Sequence, residues 1–147
     1  MSVFQAFNIN ASGLTAQRFR TDIIAENIAN VKTTRTQDGT PYRRQIVTFK
    51  EKDVTDFSHV LRGTREAAIG NGVKVDTLTH DYESDFIMAY DPSHPDADEN
   101  GYVSYPNVNI VTEMTNLIDA SRSYEANATA FEASKSMMTT GLNMGKG

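Results

Sequence analysis

The two ends of this 147-residue chain carry helical periodicity and its middle does not, which leaves few folds open. Toward the C-terminus, Ile110, Met114, Leu117, Ser121, Tyr124, Ala128, Phe131, Lys135, Met138 and Leu142 alternate steps of three and four. That spacing predicts a rod of about 50 Å at 1.5 Å per residue. Ser121 and Lys135 interrupt its stripe, and Ala128 is small. Toward the N-terminus, Leu14, Gln17, Thr21, Ile24, Ile28 and Val31 follow the same rule, with Ser12 offering an N-cap. This second helix spans about 27 Å. Ile9, Phe19 and Ile23 lie off its seam and ask for another apolar contact. Two imperfect stripes at opposite ends can cover one another as an antiparallel pair, or both can pack on a common core.

The middle alternates instead. "YRRQIVTF" (42–49) and "GVKVDTLTH" (72–80) are rich in β-branched residues at period two and read as strands, with "DFIMAY" (85–90) as a third. "DVTDFSHVLRG" (53–63) fits a loop or a short helix. The predicted class is α+β, with a small antiparallel sheet between terminal helices.

Composition narrows the function. Apolar residues make up 39% of the chain, and no stretch approaches the length of a membrane span. The opening "MSVFQAFNINASG" lacks the basic start and apolar core of a cleavable secretory signal. Without cysteine, disulfides, thiolate zinc sites and a cysteine nucleophile are excluded. A net charge of −5 argues against a nucleic-acid binder. That charge is uneven. Asp76, Asp81, Glu83, Asp85, Asp91, Asp96, Asp98 and Glu99 follow one another with no intervening Lys or Arg, whereas residues 18–52 are predominantly basic. A two-signed chain can attract copies of itself head to tail, and a solvated surface explains the pattern equally well.

"DADENG" (96–101) matches the start of an EF-hand loop, with Asp96, Asp98, Asn100 and Gly101 at positions one, three, five and six. The twelfth position is Asn107, where a bidentate Glu is needed, and Pro92 and Pro95 stand where the entering helix would run. An acidic turn is the better reading. A weak calcium module at 96–107 stays as the alternative from another class. His59, His80 and His94 are scattered, and "GNG" (70–72) precedes a strand and not a helix. No catalytic constellation, cofactor motif or small-molecule site emerges.

What stands out is polarity at particular helical places. "NIAN" places Asn27 and Asn30 near the end of the first helix. "SRSYEAN" gathers Arg122, Tyr124, Glu125 and Asn127 in the middle of the second, with Arg122 and Glu125 at a spacing that permits an ion pair. Such groups suit an elongated helix that fixes a packing register. "SGLTAQRFRTDIIAENIANVKTTRT" (12–36), through Ser12-Gly13-Leu14 and Asn27-Ile28-Ala29-Asn30, resembles the N-terminal signature of the bacterial flagellar rod and hook protein family. "PYRRQ" (41–45), "YDPSHPDADENGYVSYPNVN" (90–109) and "SRSYEAN" look like a proximal rod member of that family.

The resemblance implies that the helices within 1–35 and 107–147 pair as a coiled coil in the inner domain of a helical tube, with 36–106 as a β-rich outer domain. It further implies a structural, non-enzymatic subunit that transmits torque and partners other rod proteins and copies of itself. Such a subunit would use the flagellar type III export apparatus, lie in the periplasmic part of the basal body, and take no cofactor, metal, nucleic acid or small-molecule substrate. On this reading Leu14, Ile24, Ile28, Leu117, Tyr124 and Phe131 form the intramolecular seam. Asn27, Asn30, Arg122, Glu125 and Asn127 set register and meet neighbours. The Asp/Pro-rich run becomes the return path into the C-terminal helix.

Overall fold

The computed structural model describes residues 3–52 and 70–145. The order is α1 (Val3–Ala29), β1 (Gln45–Glu51), β2 (Val73–His80), β3 (Ile87–Tyr90), β4 (Tyr102–Tyr105) and α2 (Ile110–Met144). Two long helices flank a small β region, so the chain is α+β. The ambiguous stretch 53–63 lies outside the described residues.

Local chemistry explains where the elements depart from expectation. Ser12 is not an N-cap, because α1 begins at Val3 and Ser12 sits inside it, donating its hydroxyl to the Ile9 carbonyl at 2.7 Å. The helix ends at Ala29, before Val31. The strands form two two-stranded sheets, β1–β2 and β3–β4, in place of one sheet. β4 falls within the stretch expected to be only a return path; it is four residues long and stops at Pro106, which cannot donate to a ladder. α2 is capped by Asn109, whose side-chain oxygen accepts from the amides of Val111 (3.0 Å) and Thr112 (3.2 Å).

The chain divides into two compact units. The first holds the described residues of Met1–Phe19, Thr48–Thr77 and Ala120–Gly147. Here α1 and α2 run antiparallel. Phe7 meets Phe131 edge-on, with centroids 4.9 Å apart, and Gly13 faces Asn127. A Cβ on Gly13 would stand 2.9 Å from the Asn127 side-chain oxygen, so glycine is what lets the two helices approach. The Ser12 hydroxyl accepts from the Val73 amide at 3.0 Å and so ties β2 to the helix. Lys52 donates to the Gly72 carbonyl (2.9 Å), the Thr48 and Thr77 hydroxyls meet at 2.6 Å, and Lys50 pairs with Asp76 at 3.0 Å.

The second unit comprises Arg20–Val47 and Leu78–Asp119. Its core is Ile23, Ile24, Tyr42, Val103 and Val108. β3 and β4 pair antiparallel, with Ala89 opposite Val103 and Tyr90 opposite Tyr102. The acidic turn between them closes on Asp98, whose carboxylate accepts from the amides of Asn100 (2.9 Å) and Tyr102 (2.8 Å), with Gly101 at φ +81°.

The helix face that is covered differs from the expected stripe. On α2 the buried positions are Glu113, Ala120 and Ser134, with Asn127 half-buried; successive members are seven residues apart. Leu117 and Phe131 are half-buried beside them, whereas Met114, Tyr124 and Leu142 are exposed. The seam therefore runs along polar and small residues, which an apolar template cannot register.

Gly72 has φ +97°, and a Cβ there would overlap the Ser12 hydroxyl. Gly72→Ala is expected to cost more than about 1 kcal/mol. Gly141→Ala, in α2 with nothing within 4 Å of an added Cβ, should gain about 0.5–1 kcal/mol. Opposite shifts of the thermal midpoint check the pair.

Candidate functional site

The candidate site is a buried polar knot in the second unit. It begins with two backbone clamps. The Asn27 amide, on the last turns of α1 and 1% exposed, accepts from the Gln45 amide (2.9 Å) and donates to the Gln45 carbonyl (2.9 Å), as a strand neighbour would. Asn107 holds the preceding residue, accepting from the Arg44 amide at 2.8 Å and donating to the carbonyls of Asp81 (3.0 Å) and Ser84 (3.2 Å). Two side-chain amides thus replace the ladder that a longer β1 would have needed. One backbone bond just outside the strands adds to these clamps, the Asp81 amide donating to the Arg44 carbonyl.

Charge completes the knot. Glu113, also 1% exposed, takes the Arg44 guanidinium through Nε (2.9 Å) and Nη2 (2.8 Å) and accepts from Asn27 at 3.2 Å. A buried carboxylate survives only when paired and hydrogen-bonded, and this one is both. Asn27 spends its remaining acceptor capacity on the Tyr42 hydroxyl at 2.9 Å, so its four bonds are all made. Burial first, and then the negative charge of Glu26, push the Tyr42 hydroxyl up to about 12, which keeps it a donor. The Ser84 amide, aided by the Ser84 hydroxyl, the Glu83 amide and the Arg44 cation, holds the Asp81 carboxyl below its ordinary 3.8 despite burial. Arg43 lies over Phe86 (4.3 Å) and Tyr82 (4.8 Å) while donating to the Asp81 carbonyl at 2.7 Å.

Of the residues singled out by sequence, the structure brings Asn27 into this knot. Its side-chain donors and acceptor are all used within the chain. Ile24 is buried; Leu14, Ile28, Leu117 and Phe131 are half-buried; Tyr124, expected in the seam, is 42% exposed. Asn30 donates to the Glu26 carbonyl and accepts from Thr33, finishing α1. Asn127 donates to the Ser123 carbonyl and faces Gly13 of its own chain. Arg122 and Glu125 are exposed and form no ion pair among the described residues, contrary to the pairing their spacing permits. Sequence reading missed Glu113, Asn107, Asp81 and Arg44 as one group. The one available signal was the unusual "YRRQ" opening of a strand.

Asp96 and Asp98, at ligand positions of the EF-hand-like turn, are engaged by protein donors. Asp96 accepts from Thr34 at 2.9 Å and lies 3.5 Å from Arg35, and Asn107, at the twelfth loop position, belongs to the knot.

Residues 7–36 match the family of flagella basal body rod proteins, and residues 99–144 match the C-terminal domain family of the flagellar basal body rod FlgEFG proteins. These two segments supply Asn27 on one side of the knot and Asn107 and Glu113 on the other. Over its length the chain is 44% identical to the flagellar basal-body rod protein FlgC of Bacillus subtilis, with 99% of the chain and 100% of the relative covered. It is 45% identical to that of Borreliella burgdorferi (97% of each) and 38% to that of Escherichia coli (99% and 100%). The chain belongs to the FlgC family of flagellar basal-body rod proteins. These matches run through Tyr42, Arg43, Arg44, Gln45 and Asp81, which neither family model reaches.

Removing Glu113 leaves Arg44 and Asn27 facing a void. Glu113→Ala is expected to cost on the order of 3 kcal/mol, the low end for stripping a buried pair because the Arg44 side chain keeps 27% exposure. A urea midpoint measures it. The folded-state pKa of Asp81 is depressed, so its contribution is complete above 3.8 and is lost as pH falls through the lower folded value. The stability gap between wild type and Asp81→Asn should therefore be constant near neutrality and close in acid, which urea midpoints taken across pH will show.

Proposed function

We propose that this chain is a structural subunit of the flagellar basal-body rod that assembles with other rod proteins and with copies of itself in a helical tube. The observation that carries the reading is similarity along the whole chain to FlgC proteins, through both terminal helices and the segments that tie them. In this role residues 1–35 and 107–147 form the inner coiled coil and 36–106 the outer, β-rich domain. The exposed Val111, Met114, Ile118, Met137 and Leu142 along α2 support it, since a helix carrying this much uncovered apolar surface gains by burial against neighbours.

The mechanism follows from stiffness. Torque passes between subunits without loss only if each subunit resists twisting, and a fully satisfied buried polar network admits one arrangement. Asn30, Arg122 and Glu125 carry contacts to adjacent subunits, Arg122 and Glu125 forming no ion pair among the described residues; Tyr124 adds an exposed aromatic side chain. The subunit is exported through the flagellar type III export apparatus and takes its place in the periplasmic rod.

Deleting the gene in its flagellated host should leave basal bodies with rings but neither rod nor hook in electron micrographs, and the intact gene should restore them. Rescue by a chain carrying Arg122→Ala with Glu125→Ala should yield fewer rods. Normal basal bodies in the deletion strain would overturn the assignment, and full rescue by the double variant would remove those two residues from the interface.

A further inference from the structure

We infer that the open face of the β3–β4 hairpin docks onto Arg18-Phe19-Arg20 of helix α1 in a second copy of this chain. The inference rests on the assembly reading above and names one contact within it.

In the hairpin register, Ala89 and Val103 point to the core, Val103 being fully buried. Met88 and Tyr90 on β3 stand beside Ser104 and Tyr102 on β4 on the other face. Met88, Tyr90 and Tyr102 are 55%, 67% and 44% exposed. This face is also pre-ordered. The two tyrosine rings stack edge-to-face at 5.3 Å, Ser104 donates to the Met88 sulfur at 3.1 Å, and Gly101 runs close beneath Tyr90, where an added Cβ would lie 3.0 Å from the ring. A rigid, apolar, aromatic surface binds at low entropic cost.

Charge selects the occupant. No Lys or Arg occurs between Lys74 and Arg122. Around the face, Asp85, Asp91 and Glu99 are exposed and form no ion pair among the described residues. Of the unit's own arginines, Arg35 pairs with Asp96 and Arg43 and Arg44 are held in the knot, which leaves Arg20 on α1. The complement is therefore an aromatic ring flanked by cations, brought from outside. Phe19 is such a ring: it lies off the helix seam, is 36% exposed and makes no aromatic contact among the described residues. Arg18 and Arg20 on either side of it have no ion pair among the described residues. Phe against two tyrosines, and guanidinium against carboxylate and ring, satisfy both surfaces at once. An acidic rim disfavours the alternative occupant, an anionic lipid surface. Because the two patches differ, the contact is heterologous, the type that an open helical array requires.

The cysteine-free chain makes the test direct. Phe19→Cys and Tyr102→Cys are introduced together and singly in the deletion host, and purified basal bodies are oxidised with copper phenanthroline. The double variant should give a ladder of dimers and larger species, and each single variant only monomer. Double-variant monomer within basal bodies, or dimer from Tyr102→Cys alone, overturns the contact while leaving the assembly reading intact. Absence of the wild-type chain from basal bodies would defeat that reading instead. Should the cysteine variant fail to incorporate, charge exchange decides. Glu99→Arg or Arg20→Glu alone should lower incorporation roughly tenfold, the loss of about one interfacial charge pair, and the two together should restore it. No restoration overturns the proposal.

Discussion

A carboxylate with almost no exposure, Glu113 on the first turns of α2, has to be neutralised, and what neutralises it holds the second unit together. Arg44 reaches it from the start of β1 and Asn27 from the end of α1. Those elements are far apart in sequence, and apolar contact alone would let them slide. A charge pair with hydrogen bonds on both sides does not slide, because every displaced arrangement strands a buried donor or acceptor. The small apolar core, Ile23, Ile24, Val103 and Val108 among its members, supplies cohesion. The polar knot supplies uniqueness.

The same economy appears elsewhere in the chain. Ser12 is spent on joining α1 to β2, and Gly13 and Gly72 are the places where a side chain would push those elements apart. The Asp/Pro-rich run, superficially a metal loop, is a turn closed by its own carboxylates: Asp98 collects backbone amides, and Asp96 collects Thr34 and Arg35 from the loop after α1. Polar side chains in this subunit mostly serve backbone geometry. Apolar ones are divided between a thin core and exposed rows on α2 and the hairpin, a distribution suited to a part that is finished by its neighbours.

Legibility varied with the physics of each element. Periodicity revealed α2 because thirty-five residues without proline have few alternatives to helix. It revealed β1 and β2 through β-branched alternation, with β3 as a third run, but β4 lies between an Asp/Pro-rich turn and Pro106 and reads as part of the return path. The heptad template chose Met114 and Tyr124 for the seam because they are apolar. The covered face instead carries Glu113, Ala120, Asn127 and Ser134, because close helix approach requires small side chains and the buried charge has its partner. Asn27 was legible as unusual, yet its partners lie on segments that only the fold brings near.

Sequence by itself determined the two terminal helices, the strand-forming middle, the absence of any cysteine chemistry and, through several words of characteristic spelling, the family. These are local properties, set by the period of apolar residues and by the identity of short runs. Tertiary structure alone decided which helix face is buried, that Asn27 joins Tyr42, Gln45 and Glu113, and that Arg44, Asp81, Asn107 and Glu113 act together. Pairing energies between residues tens of positions apart depend on distance and burial, and neither exists until the chain has folded.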